Sequence, residues 1–296
     1  MSFTFSLVSL LFLAPTEPDF GAPPSAADAA PSADQASSPD VYDYKLSFGP
    51  YVAGFSEDFG YWAGLHARAW LLDVTGKRGY SGFVEVVDLH WRGWGDKNPD
   101  RPVDAVDTAF FLGRALKYWN QNLYTFLTVG GSLGDALFPR GQIEAEADWI
   151  VPTWPALVLC FGGGDRRYAE INRPYLIAGA SYSLAKAAVI YRYWYDGGMG
   201  RKTAHTHLFT LVVGERLVAW GRLDLTWGDE GHPGSTIPTI YGEQVKAKAV
   251  AASLEKWFRP NFGIIFKAEL SEATLPGTPP LMLHRYLGEI RPFVTF

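Results

Sequence analysis

His205 and His207 stand one residue apart where a polar segment gives way to an apolar run. On an extended chain both imidazoles fall on the same side, the minimum needed to begin a metal site. A third ligand would have to come from Asp229 or His232 in the next polar segment, and two histidines alone do not make a site, so the sequence predicts neither a metal nor a cofactor. Asp229, Glu230 and His232 offer acids beside an imidazole, yet nothing in their spacing separates them from ordinary loop solvation; no catalytic residue is assigned and no enzyme is expected. The run Gly162 to Gly164 is no phosphate loop, because neither a helix nor a βαβ unit follows it; glycine inside a strand marks a bend or a close backbone approach. Cys160, the single cysteine, shares its strand face with Val158 and Gly162 and reads as a small apolar side chain. Arg166, Arg167 and Tyr168 close that strand, and with Arg140 of the neighbouring loop they form an expected cationic patch at the outer mouth, either paired with Asp165, Glu170 or Asp135 and in contact with lipopolysaccharide phosphates, or handling a solute or polysaccharide.

These residues must be positioned by strands. Hydrophobic residues make up 48% of the 296-residue chain, yet beyond residue 14 no apolar stretch approaches the roughly 18 residues of a spanning helix. Aromatic residues reach 15%, with 11 Trp and 15 Tyr, more than a soluble core needs and typical of a membrane–water boundary. The net charge is -5 and both signs are interspersed, which gives nucleic acid no electrostatic footing.

From Tyr44 onward polar and apolar residues alternate with period two. Gln142 to Val151 places Glu144, Glu146 and Asp148 opposite Ile143, Ala145, Ala147, Trp149 and Val151. Leu217 to Trp227 sets Arg222 and Asp224 against Leu223 and Leu225, and Phe262 to Ser271 sets Lys267 and Glu269 against Phe266 and Leu270. Segments near 44–55, 61–75, 80–95, 108–119, 123–134, 141–152, 156–168, 174–184, 187–198, 206–214, 217–228, 245–258, 262–273 and 281–296 give about 14 strands, with 12–16 as the range. Tight connections such as Asn120-Gln121-Asn122 alternate with longer ones such as Asp229 to Gln244, and both termini fall on the tight-turn side. The expected fold is therefore all-β, a transmembrane antiparallel up-and-down β-barrel of the bacterial outer membrane.

In that fold the predicted lumen lining is Lys45, His66, Arg68, Asp88, His90, Arg92, Glu144, Glu146, Asp148, Arg192, Arg222, Asp224, Lys246, Lys248, Lys267, Glu269, Arg285 and Glu289. Arg222 and Asp224 are expected to meet Lys246 and Lys248 across neighbouring strands. Glu85 falls on the predicted lipid face beside Phe83 and Val87, at a cost of several kcal/mol in mid-bilayer, unless a bulge intervenes. Trp119, Trp154 and Trp257 near the short turns, and Trp62, Trp94 and Trp227 near the long loops, read as two aromatic girdles. With an interior between that of a filled eight-stranded barrel and a porin, the chain is expected to conduct small solutes or a surface or exported polysaccharide. The alternative is a closed structural or surface-interaction barrel, and an outer-membrane hydrolase is a minor third reading.

At the N-terminus the apolar run Leu7 to Ala14 has the length of a secretory core segment. Residues 1–22 are read as a signal peptide, with Ala14, Ala22 and Ala27 as candidate cleavage positions; 23–42 form a Pro/Ala/Ser linker and 43–296 the barrel. At the other end the chain closes on Phe296, with Val294 and Ile290 on its face and Glu289 and Arg291 opposite. This resembles the terminal strand signal read by the barrel-assembly machinery, which becomes an expected partner beside outer-membrane lipid, lipopolysaccharide and components of polysaccharide export. The segments Phe138-Pro139-Arg140-Gly141, Phe161 to Tyr168, Gly179-Ala180-Ser181-Tyr182 and Tyr193-Trp194-Tyr195 resemble the YaiO-type family of outer-membrane barrels. That resemblance implies location and architecture, and by association a role near surface polysaccharide.

Overall fold

A computed structural model describes residues 44–55, 61–72, 79–92, 106–133, 140–167, 172–184, 186–196, 203–215, 218–228, 246–275 and 281–296. The signal-peptide and linker expectations lie outside the described residues, as do Trp94, Tyr168, Asp229, Glu230 and His232.

Fourteen strands follow one another. They are β1 (Tyr44–Phe55), β2 (Tyr61–Leu71), β3 (Tyr80–Arg92), β4 (Val106–Asn120), β5 (Leu123–Leu133), β6 (Gly141–Ile150) and β7 (Leu157–Arg167), then β8 (Asn172–Leu184), β9 (Ala187–Asp196), β10 (Ala204–Glu215), β11 (Ala219–Gly228), β12 (Lys246–Arg259), β13 (Phe262–Leu275) and β14 (Leu281–Thr295). Each pairs antiparallel with its sequence neighbours, and β1 pairs with β14 to close the barrel. The ring leaves no sheet edge, the condition for backbone in hydrocarbon. At the seam, Tyr44 N donates to Phe296 O at 3.0 Å and Phe296 N donates to Tyr44 O at 3.1 Å, and the two rings stack at 5.7 Å.

The turns at this rim are tight for local reasons. Asn120 Oδ1 accepts from Asn122 N at 2.8 Å, a side-chain mimic of a backbone turn. Gly79 (φ 70) and Gly214 (φ 125) supply left-handed backbone at the β2–β3 and β10–β11 ends, a region costly for residues with a Cβ.

Burial alternates along every strand. Outward positions carry Leu46, Phe48, Val52, Val84, Val86, Leu127, Val129, Phe161, Leu176, Val250, Leu270, Ile290 and Val294, all exposed. Inward positions carry the buried Arg68, Glu85, Arg114, Glu146, Arg166, Asp224, Glu269 and Arg291. This inverts the partition of a water-soluble protein, so the greasy surface is the outer wall.

Three expectations are corrected by the register. In β3 the inward parity belongs to Phe83 and Glu85: Glu85 is buried beside Arg68, while Val84 and Val86 are exposed. Asp88 pairs with the exposed Leu65 and so stands on the outward face; His90 and Arg92 share its parity, opposite Ala63 and Tyr61. In β12 the inward parity belongs to Ala249, Ala251 and Glu255. Lys248 is exposed on the outward face, and Lys246 is at a backbone position of the same parity. Arg222 and Asp224 consequently face Ser253 and Ala251 rather than lysines. The third correction concerns the girdle: Trp119 and Trp154 are exposed near the short turns and Trp227 near the opposite rim, but Trp257 packs inside against Phe293 at 4.7 Å.

Candidate functional site

The lumen gathers most of the chemistry. Within the barrel wall the inward cations among the described residues are Lys45, Arg68, Arg114, Arg166, Arg173, Arg192, Arg222, Lys267 and Arg291, and the inward anions are Glu85, Glu144, Glu146, Asp148, Asp196, Asp224, Glu255, Glu269 and Glu289. The two sets are equal in number. Arg285 holds the same backbone parity as Glu289 in β14. Inward placement thus holds for Lys45, His66, Arg68, Glu144, Glu146, Asp148, Arg192, Arg222, Asp224, Lys267, Glu269 and Glu289 of the predicted lining.

One network runs along β14, β2 and β3. Arg291 Nε lies 2.8 Å from Glu289, His66 Nδ1 lies 2.5 Å from Glu289 and its Nε2 3.1 Å from Glu85, and Arg68 Nη2 lies 2.5 Å from Glu85. A chain of alternating charge crosses the inner face of β1, where Gly49 lets the backbone of β14 come close: a Cβ there would meet Ile290 O at 2.0 Å. On the opposite wall Arg192 Nη2 of β9 lies 2.6 Å from Glu146 of β6, spanning β7 and β8. Arg114 lies 3.7 Å from the same carboxylate, and Tyr175 donates to Glu144 at 2.9 Å. Between them, Thr210 donates to Asp224, which also accepts from Arg222 Nε at 2.8 Å. In a low-dielectric interior such pairs offset desolvation only when their geometry is good.

Glu146, Asp148 and Cys160 bring three donor atoms within 4.8 Å of one another. Arg192 and Arg114 already supply cationic charge to this cluster, so its donor set serves guanidinium groups before it serves a metal. His205 and His207 lie on the outward face of β10, so they form no luminal metal site.

Toward the rim of the chain ends the lumen becomes aromatic. Lys45 Nζ lies 2.5 Å from Glu255 of β12, reaching past β13 and β14, and sits over Phe293 at 4.4 Å and Trp70 at 4.7 Å. Trp257 Nε1 donates to the other Glu255 oxygen at 2.8 Å. Trp70, Phe83, Leu112, Ile265 and Phe293 cluster around this bridge. Leu116, Tyr124, Phe126 and Val158 form a second apolar group on the adjacent wall. Both lie on the inner wall toward the short-turn rim, and a third group, Cys160, Tyr175, Ile177, Trp194 and Leu208, lies nearer the opposite rim.

The expected mouth patch is divided by the wall. Arg166 points inward, 3% exposed, directly across from the inward Arg173, which pairs with Asp196 at 2.9 Å; Arg167 and Arg140 are exposed. Arg114, Arg166, Arg173 and Glu255 are luminal charges that alternation did not single out. In β4 Arg114 shares the inward face with Leu112 and Leu116, so an apolar inner wall masked the signal.

No protein-family model and no curated protein matches the sequence. Solved structures with the same fold include "CymD monoaromatic hydrocarbon channel", 8% identical with a TM-score of 0.55 over 86% of this chain and 89% of that one. The "TodX deltaS2S3 mutant monoaromatic hydrocarbon channel" is 8% identical with a TM-score of 0.56 over 92% and 93%, and a "Bacterial polysaccharide outer membrane secretin" is 9% identical with a TM-score of 0.50 over 87% and 100%. At these identities the likeness is one of fold. The deciding observation is the wall itself: a closed ring of strands, apolar outside and charged within. The chain is an outer-membrane β-barrel. In such a barrel the long connections, here at the rim opposite the chain ends, face the exterior and the short turns face the periplasm.

Proposed function

We propose that this barrel is a narrow conduit for small solutes across the bacterial outer membrane. The observation that carries the reading is the inner wall of matched charge, cross-braced by Arg192–Glu146 and Lys45–Glu255. A barrel of fourteen strands has more interior than side chains fill in an eight-stranded one and less than a porin. Long luminal side chains reduce that space without replacing its polarity by an oily core, which suits passage of single small molecules between charged and aromatic levels. The solved channels of similar fold are consistent with the reading, and catalysis has no part in it.

The finer identity follows from the motifs. We place the chain with the YaiO-type barrels, with residues 1–22 as signal peptide, 23–42 as linker and 43–296 as barrel, delivered through recognition of Ile290, Val294 and Phe296 by the barrel-assembly machinery. Purified protein in planar bilayers is expected to give small, discrete conductance steps. Repeated silence from preparations that fold and insert would leave the closed structural barrel as the correct reading. Steps that are blocked by an acidic oligosaccharide and not by small solutes would transfer the assignment to polysaccharide.

A further inference from the structure

The outward face of β9, β10 and β11 carries a ring cluster that conduction does not use. Tyr193, His207 and Trp227 are direct cross-strand neighbours. His207 stacks on Trp227 at 5.2 Å with an interplanar angle of 10° and lies tilted against Tyr193 at 5.1 Å. His205 stacks on Tyr193 at 5.8 Å and lies tilted against Tyr195 at 5.4 Å. Each imidazole is held from below by a phenol: the Tyr191 hydroxyl meets His207 Nδ1 at 2.9 Å, and the Tyr193 hydroxyl meets His205 Nδ1.

Height on the wall gives the cluster its meaning. The next row toward the periplasm is Tyr191, Phe209, Leu225, Val250 and Leu270, an apolar row suited to hydrocarbon. The row of His207 continues through Trp227 to Lys248, and because barrel strands tilt, such a row climbs outward as it crosses the sheet. The cluster therefore sits at the outer edge of the hydrocarbon, with the ammonium of Lys248 above it. Lys248 is exposed and makes no ion pair among the described residues.

With the phenols on Nδ1, Nε2 is the ring position left open on each imidazole, and it carries the proton in the tautomer whose Nδ1 accepts from the phenol. No hydrogen bond among the described residues engages Nε2 of His205 or His207. Two imidazole Nε2 atoms thus lie on the outward face near the outer rim, with Lys248 two strands from His207 beyond Trp227 and directly across from Glu272, where an anionic headgroup can meet both the rings and the ammonium. Aromatic girdles of ordinary barrels anchor by Trp and Tyr; two oriented imidazoles add further hydrogen-bonding groups to this one.

We propose that His205, His207 and Lys248 form a docking site on the outer wall for the phosphate of an outer-leaflet glycolipid of the lipid A type. The flat rings of Tyr193 and Trp227 support the sugar, and the apolar row beneath receives the acyl chains.

The test uses the full chain in nanodiscs of zwitterionic lipid doped with diphosphoryl lipid A, with the same lipid A stripped of phosphate, or with phosphatidylglycerol, and counts retained lipid by native mass spectrometry. Diphosphoryl lipid A should be retained preferentially, and the His205→Phe/His207→Phe variant, which keeps the rings and removes the donors, should hold it about tenfold less tightly. Lys248→Gln should weaken it as well. Folding is read by heat-dependent gel mobility; should the double variant not fold, Tyr193→Phe, which frees the His205 ring alone, must still reduce retention. Equal retention by wild type and folded variants, equal retention of the stripped lipid, preference for phosphatidylglycerol, or displacement by millimolar inorganic phosphate would each overturn the proposal.

Discussion

Glu85 lies against Arg68 on the luminal wall, its carboxylate 2.5 Å from Nη2 and 2.6 Å from Nε of the guanidinium on the neighbouring strand. Both side chains are almost wholly removed from solvent. Removing Arg68 leaves Glu85 buried without the guanidinium that holds it, its remaining contact being His66 Nε2 at 3.1 Å. Arg68→Ala is therefore expected to destabilise the barrel by about 3–5 kcal/mol, read as denaturant unfolding from lipid vesicles, whereas the paired change Arg68→Met with Glu85→Met should recover most of that loss. Asp88→Asn, on the outward face of the same strand, is expected to stay within about 0.5 kcal/mol. If the Asp88 variant were the more damaging one, Asp88 rather than Glu85 would face the lumen.

The aromatic level around Lys45 should limit flow. Trp257→Ala together with Phe293→Ala removes the pair that packs at 4.7 Å beside the Lys45–Glu255 bridge and should raise single-channel conductance without altering insertion. An unchanged conductance would locate the narrowest point elsewhere.

Because inward cations and anions are matched in number among the described side chains, the pore should choose weakly between small ions of opposite sign. The permeability ratio of K⁺ to Cl⁻ under a salt gradient is expected to lie within about a factor of two of unity. Arg192→Gln leaves Glu146 with only the more distant Arg114 at 3.7 Å, and should shift the reversal potential toward cation preference.

Gly164 is needed for closeness rather than for flexibility. A Cβ at this position would meet Ile143 O at 2.5 Å and the Tyr175 hydroxyl at 2.5 Å. Gly164→Val should cost about 1–3 kcal/mol by overpacking and detach Tyr175 from Glu144, visible as a change in tyrosine fluorescence alongside the lowered stability.

At the seam, Phe296→Ala retains the paired backbone bonds to Tyr44 and loses the stacked ring, an expected cost of about 0.5–1.5 kcal/mol. Deletion of Phe296 removes the bonds as well and should deplete the folded, heat-modifiable species in the outer membrane far more than the alanine variant. Equal yields of the two would argue against a role for the terminal residue in assembly.

Much of this was legible from alternation. Strand number and most strand ends follow from period two and from turn residues, and Glu144, Glu146 and Asp148 lie inward as β6 reads. What alternation missed has a common physical source. The rule of polar inside and apolar outside presumes a uniformly wet lumen and a uniformly oily exterior. Phe83 and Leu112 break the first premise, because the inner wall is apolar near the periplasm, so Glu85 and Arg114 lay hidden among hydrophobic neighbours. Lys248 and Asp88 break the second, because toward the outer rim the exterior tolerates charge. The Lys45–Glu255 contact was beyond reach for another reason: it joins strands that are not neighbours, and one-dimensional patterning carries no record of chords across a ring.

The pairing of β1 with β14 joins positions 44 and 296, nearly the full span of the chain. Until β14 is in place, the first strand can have a partner on one flank only, and any partial sheet must carry two raw borders able to recruit a stranger. Sealing the ring is thus a non-local act that trails the hairpins, slow by the distance in sequence it has to bridge.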